Sequence, residues 1–385
     1  MKRLTIAVAL ITLALATPAR SFAANSGYDE GFFIASDDQE FMLKLNGRLQ
    51  PQLYFQDSAT QQKQLTFNLR RAQLNVFSEI HDIVAIGFNL EHAVTNVGTQ
   101  NFQTVNIGGA YVSVEVIPQF VITAGMVGLP LDMMSEISSA WLLLIEKPIT
   151  NSQSDGITNL TPLRPSFGTP DGLGINFSGG YWKWYYSFSV VNGAESNYAL
   201  NPDMKMSFGF RTGINILDPV PGKLTDFDCS ETPKLTVNLG STYQGKRTDP
   251  NTNANISYLW TSSLGVGLRW GGFAFTTEGY YRRTKITSLG TAVWARPMLT
   301  DIGYYAAAGY YIIPKKFEIA AQAGQIIRQG PDNDSWQFGG GVNYYIFDNN
   351  LKLQAAYVLT TDFDDVTGTR TNKVSTGTLM LSALF

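Results

Sequence analysis

Ten cations share one phase of a series of alternating segments: Lys44, Arg48, Arg71, Lys183, Lys205, Arg211, Lys234, Arg269, Arg282 and Lys352. Only Glu91, Glu115, Glu278 and Glu318 accompany them on that phase. A second set of acids, Asp132, Glu136, Glu146 and Asp155 with Asp171 beside them, falls in one long connection whose only cations are Lys147 and Arg164. Lysine and arginine gathered along a wet wall attract anions, and walls of low dielectric focus such fields. An acidic segment opposite a basic wall would set up a transverse field. The plainer alternative is that charges on a wet face simply solvate it.

Covalent and metal chemistry have little to draw on. His81 adjoins Asp82 in a short turn and His92 ends a segment. Neither has a serine partner in a nucleophile arrangement. No HExxH, clustered Cys/His set or Walker sequence occurs. The expectation is therefore no catalytic residue, no metal ligand and no cofactor. Cys229 is the single cysteine, so it makes no internal disulfide and reads as an incidental thiol in a connection.

The elements that carry the cations are two-faced strands. In the first, Leu43, Leu45, Leu49, Leu53 and Phe55 point one way, and Lys44, Asn46, Arg48, Gln50 and Gln52 the other. The same pattern recurs in Trp182 to Val190 and in Met204 to Arg211. Period-two reading yields sixteen candidate strands between residue 43 and the C-terminus. Their connections alternate. Ile117-Pro118-Gln119, Gly179-Gly180, Gly271-Gly272, Pro314-Lys315 and Asp348-Asn349 are tight hairpin chemistry. The complementary gaps, such as 56–70, 92–106 and 284–302, are long and polar, and only the long link at 217–233 breaks the rule. This predicts an all-β, sixteen-stranded antiparallel transmembrane β-barrel with short periplasmic turns and long external loops.

Composition agrees. The 385 residues are 44% hydrophobic and 15% charged, with 36 Gly, 18 Tyr and 23 Phe. A mean hydropathy of −0.05 argues against a helical membrane protein, whereas a barrel is average because half of each strand is polar. Lys2 and Arg3 precede an apolar stretch, Leu4 to Ala16, and Ser21-Phe22-Ala23 supplies small residues for cleavage. Residues 1–23 thus read as a signal peptide, with cleavage after Ala24 as the alternative. Residues 24–42 read as a periplasmic segment and 43–385 as the barrel. Losing Lys2, Arg3 and Arg20 takes the formal charge from −3 to −6, and no basic stripe suggests nucleic acid. The outward aromatics Trp182, Trp184, Trp270, Phe273 and Phe275 suit interface girdles in outer-membrane lipid. A terminal Phe385 on an amphipathic strand resembles the signal read by the outer-membrane assembly machinery.

Sixteen strands enclose an aqueous lumen that something must narrow. The connection at 128–171 is the longest and contains Trp141-Leu142-Leu143-Leu144-Ile145, a poor solvent-exposed segment. The expectation is that this third external loop folds inward as a constriction, an external or trimer-latching loop being the alternative.

Several stretches resemble the phosphate-selective porin O and P family. They include Gly31-Phe32 with Leu43 to Gln50, Arg70-Arg71-Ala72-Gln73-Leu74, Gly109-Ala110-Tyr111-Val112 and Gly172-Leu173-Gly174-Ile175. Gly309-Tyr310-Tyr311 through Glu318, and Asn343-Tyr344-Tyr345 through Leu353, look like its late hairpins. The resemblance implies a trimeric sixteen-stranded porin whose luminal arginines and lysines conduct anions. Where the family tends to carry Lys-Glu-Pro after strand 5, this chain has Gly125-Met126-Val127-Gly128-Leu129-Pro130. The expected function is passive diffusion of small hydrophilic solutes with anion preference. The alternatives are a phosphate- or oxyanion-selective channel, and a structural or adhesive barrel with a plugged lumen.

Overall fold

The computed structural model describes residues 25–58, 63–97, 100–151, 166–169, 171–193, 204–248, 253–290, 296–329, 334–363 and 370–385. The expected leader and its cleavage site lie outside the described residues, as do Asp155 and Arg164. Among the described residues, nineteen strands make one antiparallel sheet. The first two, β1 (Asn25–Tyr28) and β2 (Phe32–Ala35), are short. The ascending and descending staves begin with β3 (Phe41–Ser58), β4 (Gln64–Ile80), β5 (Val84–Val97), β6 (Gln100–Ile117), β7 (Phe120–Gly128), β8 (Asp171–Tyr181) and β9 (Trp184–Asn192). They continue with β10 (Met206–Asn215) and β11 (Lys234–Gln244), then, after the two-residue β12 (Arg247–Thr248), β13 (Asn255–Trp270), β14 (Phe273–Ser288) and β15 (Met298–Ile313). Last come β16 (Phe317–Arg328), β17 (Ser335–Phe347), β18 (Leu351–Phe363) and β19 (Arg370–Leu384). Without β1, β2 and β12, sixteen staves remain, each paired with its neighbour in sequence.

The ring closes where β19 pairs with β3, from Val374 opposite Ser58 to Leu384 opposite Arg48. Below that seam β2 takes over the same edge of β3, with Phe32 opposite Leu45 and Ala35 opposite Met42. Within the stretch read as a periplasmic segment, β1 and β2 add to the sheet. Phe385 completes the seam: its N–H donates to the Gly47 carbonyl at 3.0 Å and its carbonyl accepts from Gly47 N–H at 2.7 Å. A side chain at Gly47 would strike the Phe385 ring.

The turns follow local chemistry, with one shift. Gly271 and Gly272 both have positive φ, as the tight hairpin turn requires. The sixth and seventh staves turn not at Gly179-Gly180 but at Trp182-Lys183, where Trp182 has φ 53°. The glycines stay in β8 because a Cβ at Gly179 would meet the Gln119 carbonyl, so their role is close approach.

Alternation holds around the ring. Leu43, Leu45 and Leu49 are exposed outward, and so are Ile302, Tyr304 and Tyr310 on β15. The inner faces differ in kind between the two sides of the barrel. From β13 to β18 the inward residues are buried, including Tyr280, Tyr305, Ala307, Tyr311, Ala320 and Tyr345. From β4 to β8 the inward residues stay half-exposed. The cause is that the barrel is filled on one side only.

Two segments fill it. The chain between β7 and β8 turns into the lumen, so that Leu142, Leu143, Leu144 and Ile145 are at most 4% exposed. Leu142, Leu143 and Leu144 form a core with Leu131, Met134, Ile149, Phe167 and the wall residues Tyr305, Ala307, Ala320 and Ile326. Burying each large aliphatic side chain is worth about 1.5–3 kcal/mol. The wall makes room with small residues: Cβ atoms at Gly339 and Gly341 would sit 2.8 and 2.9 Å from Leu144 methyls, and one at Gly240 would collide with the Leu131 carbonyl. Gly339 and Gly341 are therefore a bed for the loop.

The second segment is the link at 217–233, whose length broke the turn rule. It enters from the periplasmic end and buries Leu224, Thr225, Asp226 and Phe227. Phe227 packs against Trp141, Tyr311 and Tyr345.

Replacing Gly240 with Val is expected to displace the loop backbone, at a cost of about 1–3 kcal/mol for overpacking. Loss of the compact, heat-modifiable band on a denaturing gel should then occur at lower temperature. Gly279→Ala, with nothing within 4 Å of the new Cβ, should leave that temperature unchanged.

Candidate functional site

The inserted loop is held by side chains of the inner wall. Asp132 caps a one-turn helix, α1 (Met133–Glu136), by accepting from Ser135 N–H at 2.6 Å, and its other oxygen accepts from Asn151 Nδ2 at 2.7 Å. Glu278 of β14 accepts from the N–H groups of Met133 and Met134 at 2.8 and 3.2 Å. The hydroxyls of Tyr280 and Tyr305 donate to the same carboxyl at 3.2 and 2.7 Å. A buried carboxyl is tolerated only with such partners. Ser263 donates to the Leu131 carbonyl at 2.6 Å, Asn343 to that of Leu143 at 2.9 Å, and Ile149 N–H to Gln337 Oε1 at 3.1 Å.

Three of the sequence-predicted cations join this framework. Lys352 donates to the Ala140 carbonyl at 2.6 Å. Arg282 pairs with Asp301 at 2.7 Å, donates to the Ser166 carbonyl at 2.9 Å and lies over the Phe167 ring at 4.6 Å. Arg269 grips the Lys223 carbonyl with two nitrogens, at 3.2 and 2.6 Å, and holds the 217–233 link, the periplasmic segment inserted in the lumen. All three are 1% exposed and face inserted protein, where the sequence alone had them facing water. Arg211 is 8% exposed, pairs with Glu136 and points its other terminal nitrogen at the Asp132 carbonyl.

The remaining cations divide by height. Lys44 reaches Asp29 at 3.4 Å near the periplasmic rim. Lys234 opens β11 opposite Arg269. Lys183 sits in the turn, not on the wall, and donates to the Ile216 carbonyl at 2.9 Å. Lys205 lies just before β10, exposed at the outer end. Arg48 and Arg71 occupy the wall of β3 and β4. Arg48 donates to Ser139 at 2.7 Å and to Gln73, and Arg71 donates to Gln50 at 3.2 Å.

Of the predicted loop acids, Asp132 and Glu136 serve α1 as above. Glu146 meets Arg70 and lies 3.8 Å from Arg71. Period-two reading missed Arg70, because β4 bulges opposite the step from Gln50 to Pro51 and turns two successive arginines inward. The signal was available: adjacent charges in an otherwise alternating strand cannot both follow the alternation unless one faces lipid. Asp301 was also missed, being read as part of a connection.

Open space remains along β3 to β9. A cavity of 760 Å³ rises from Tyr28 and Glu30 past Arg48, Asn75, Asn89 and Glu91 to Asp171. A second, of 540 Å³, continues from Asp171 between Tyr111, Thr123 and Asn176 of the wall and Glu136 and Lys147 of the loop. Burial pushes the Lys147 ammonium below the ordinary lysine range, with Asp132 opposing. Burial raises the Glu136 carboxyl, and Arg211 opposes it. Where the lower cavity reaches Trp141, Lys223 Nζ covers the indole at 3.9 Å and Leu224 N–H donates to the Trp141 carbonyl at 3.2 Å. The loop and the periplasmic segment thus touch in the lumen. Among the described residues there is no group of metal-ligating side chains.

A closed sixteen-stranded barrel with polar cavities beside an inserted loop defines an outer-membrane porin. The family model of the phosphate-selective porin O and P matches residues 43–381, and the chain belongs to that family. Membership locates the protein in the outer membrane and points to a channel rather than an enzyme. No curated protein matches the chain. Among solved structures, in-vitro folded OmpT, an outer membrane protein of Vibrio cholerae, superposes with TM-score 0.58 at 11% identity, over 93% of this chain and 99% of that one. A trimer form of the same protein gives 0.58 and 11%, over 90% and 99%. The outer membrane channel DcaP of Acinetobacter baumannii gives 0.55 and 11%, over 91% and 99%. These likenesses concern the fold.

Glu278→Ala should leave the Met133 and Met134 amides without their acceptor, at about 1–3 kcal/mol for each buried group left unpaired. Single-channel recordings should show a larger and noisier conductance as the loop loosens. A conductance equal to that of the unmodified protein would show that Glu278 does not hold the loop.

Proposed function

We propose that the protein is a passive pore for small hydrophilic solutes, weakly selective with a mild anion preference, working as a homotrimer. The observation that carries this is the pair of polar cavities meeting at Asp171 between the inserted loop and the β3–β9 wall. Their linings mix Asn, Thr and Ser with charges of both signs. Such walls replace part of a solute's hydration without holding it. The loop at 128–171 acts as the constriction in this reading. Homotrimerisation is supported by the trimer form of the Vibrio cholerae protein.

The ten wall cations do not act together. Several are committed to loop carbonyls or carboxylates; at the cavities Arg48 of the wall and Lys147 of the loop stand beside Glu91, Glu136 and Asp171. These charges are close to balance, which is why the proposed anion preference is mild. A phosphate-specific channel fits less well, because the acidic loop stands among the arginines that such a channel would use.

Planar-bilayer recordings of the purified protein across a salt gradient test this reading, and a cation-preferring pore would overturn the anion preference. The pH dependence is a sharper check. Lys147 is charged below its lowered pKa and neutral above it, so anion preference should fall at a pH where exposed lysines still carry their charge. Lys147→Gln should abolish that step in the reversal potential and leave the conductance within about a factor of two.

A further inference from the structure

Glu146 carries a carboxylate to a point where two arginines converge. Arg70 meets it with two nitrogens, Nε toward Oε1 and Nη2 toward Oε2, the second at 2.6 Å. Arg71 Nη2 lies 3.8 Å from Oε2. A planar guanidinium facing both oxygens of one acid is the geometry by which proteins take up carboxylates and phosphates.

Three details set this pair apart from the other ion pairs in the lumen. Arg282 and Asp301 are 1% and 2% exposed and join two neighbouring staves, so they are part of the wall. Arg211 holds Glu136 at the end of α1 and belongs to the loop's anchorage. Arg70 and Glu146 are 30% and 29% exposed, at the boundary with water, whereas in the Arg211 pair only the carboxylate is exposed. Glu146 also follows closely on Leu142, Leu143 and Leu144, which are packed on the far wall. The backbone therefore carries the carboxylate across to β4 and fixes it there. The bulge in β4 turns both arginines toward that carboxylate.

We propose that Glu146 is a tethered counter-anion that occupies an Arg70–Arg71 oxyanion site and thereby keeps the pore weakly selective. This presupposes the conducting pore described above. A tethered ligand competes at an effective concentration of roughly millimolar or more, without any gain in contacts. Dissolved oxyanions at about that concentration therefore find the site filled. Removing the charge at residue 146 leaves two guanidinium charges at the water boundary without that partner, and the same geometry then suits a phosphate or carboxylate solute.

The test uses the full barrel in planar bilayers, with inorganic phosphate as the probe. Glu146→Gln is expected to raise the chloride-to-potassium permeability ratio by about twofold or more, since one negative charge leaves a narrow passage. Adding about 10 mM phosphate should then cut its chloride current by half or more, while the unmodified protein keeps its current. Glu146→Ala should behave as Glu146→Gln does, and Glu146→Asp should resemble the unmodified protein. Adding Arg70→Gln and Arg71→Gln to Glu146→Gln should remove the phosphate block. A Glu146→Gln pore with unmodified selectivity and no phosphate block would overturn the inference while leaving the pore intact. Unmodified protein that inserts without conducting would instead overturn the pore reading. Gel mobility with and without heating reports folding for each variant, and the half-exposed Glu146 lies outside the loop's apolar core.

Discussion

A strand in hydrocarbon must have every backbone N–H and C=O paired within the protein, and only a closed sheet achieves this without an edge. The seam between β3 and β19 is where that constraint is met or missed. It is completed by main-chain bonds between Gly47 and the terminal Phe385, and below them by β2. The seam explains why residue 47 is glycine on a face otherwise built from leucine. The ring of Phe385 lies over it, so the chain's last side chain covers the gap that closure leaves on the outer face. Closure also sets the next problem, because sixteen staves enclose more space than their own inward side chains fill.

The space is filled asymmetrically, and the wall is composed accordingly. Where the loop and the periplasmic segment pack, the inward residues are glycine, alanine, tyrosine and carboxyl groups aimed at loop amides. Glu278 and Glu318 play parallel parts there. Glu278 receives the N-terminal amides of α1, and Glu318 receives Thr225, Asn343 and Tyr345 beneath the periplasmic segment. Across the lumen, the staves from β4 to β8 present Asn, Gln, Ser and Thr to open space. The two halves of one barrel thus follow two rules, that of a packed protein interior and that of a wet surface.

The barrel was legible from residue types because its cause is local. Alternation in Leu43 to Phe55, or in Trp184 to Val190, depends on facing alone, and facing has a period of two. The inward course of the loop was legible for a related reason, since Leu142 to Ile145 are too apolar to leave in water. The link at 217–233 was visible only as an exception, because what it packs against, Trp141 and Tyr345, is distant in sequence. The shift of the turn from Gly179-Gly180 to Trp182-Lys183 was hidden because glycine marks both tight turns and close approach. The roles of Arg269, Arg282 and Lys352 were hidden for a deeper reason. Period two says that they point inward, and nothing local says whether water or a loop carbonyl waits there.

That distinction governs the electrostatics. Opposed rows of charge across an open gap would give a strong transverse field, whereas contact pairs behave as short dipoles whose fields decay steeply. In this lumen Arg211 touches Glu136, Arg70 touches Glu146 and Arg282 touches Asp301. At about 10 Å screening in ordinary salt, little of a compact pair's field reaches a solute passing more than one side chain away. The ten-to-four excess of cations on the wall is therefore mostly a requirement of loop attachment. A carboxylate loop needs basic anchors, and its carbonyls need donors, whichever ions the pore prefers. The charges that act on solute are the few left at the edge of the cavities, and those are close to balance.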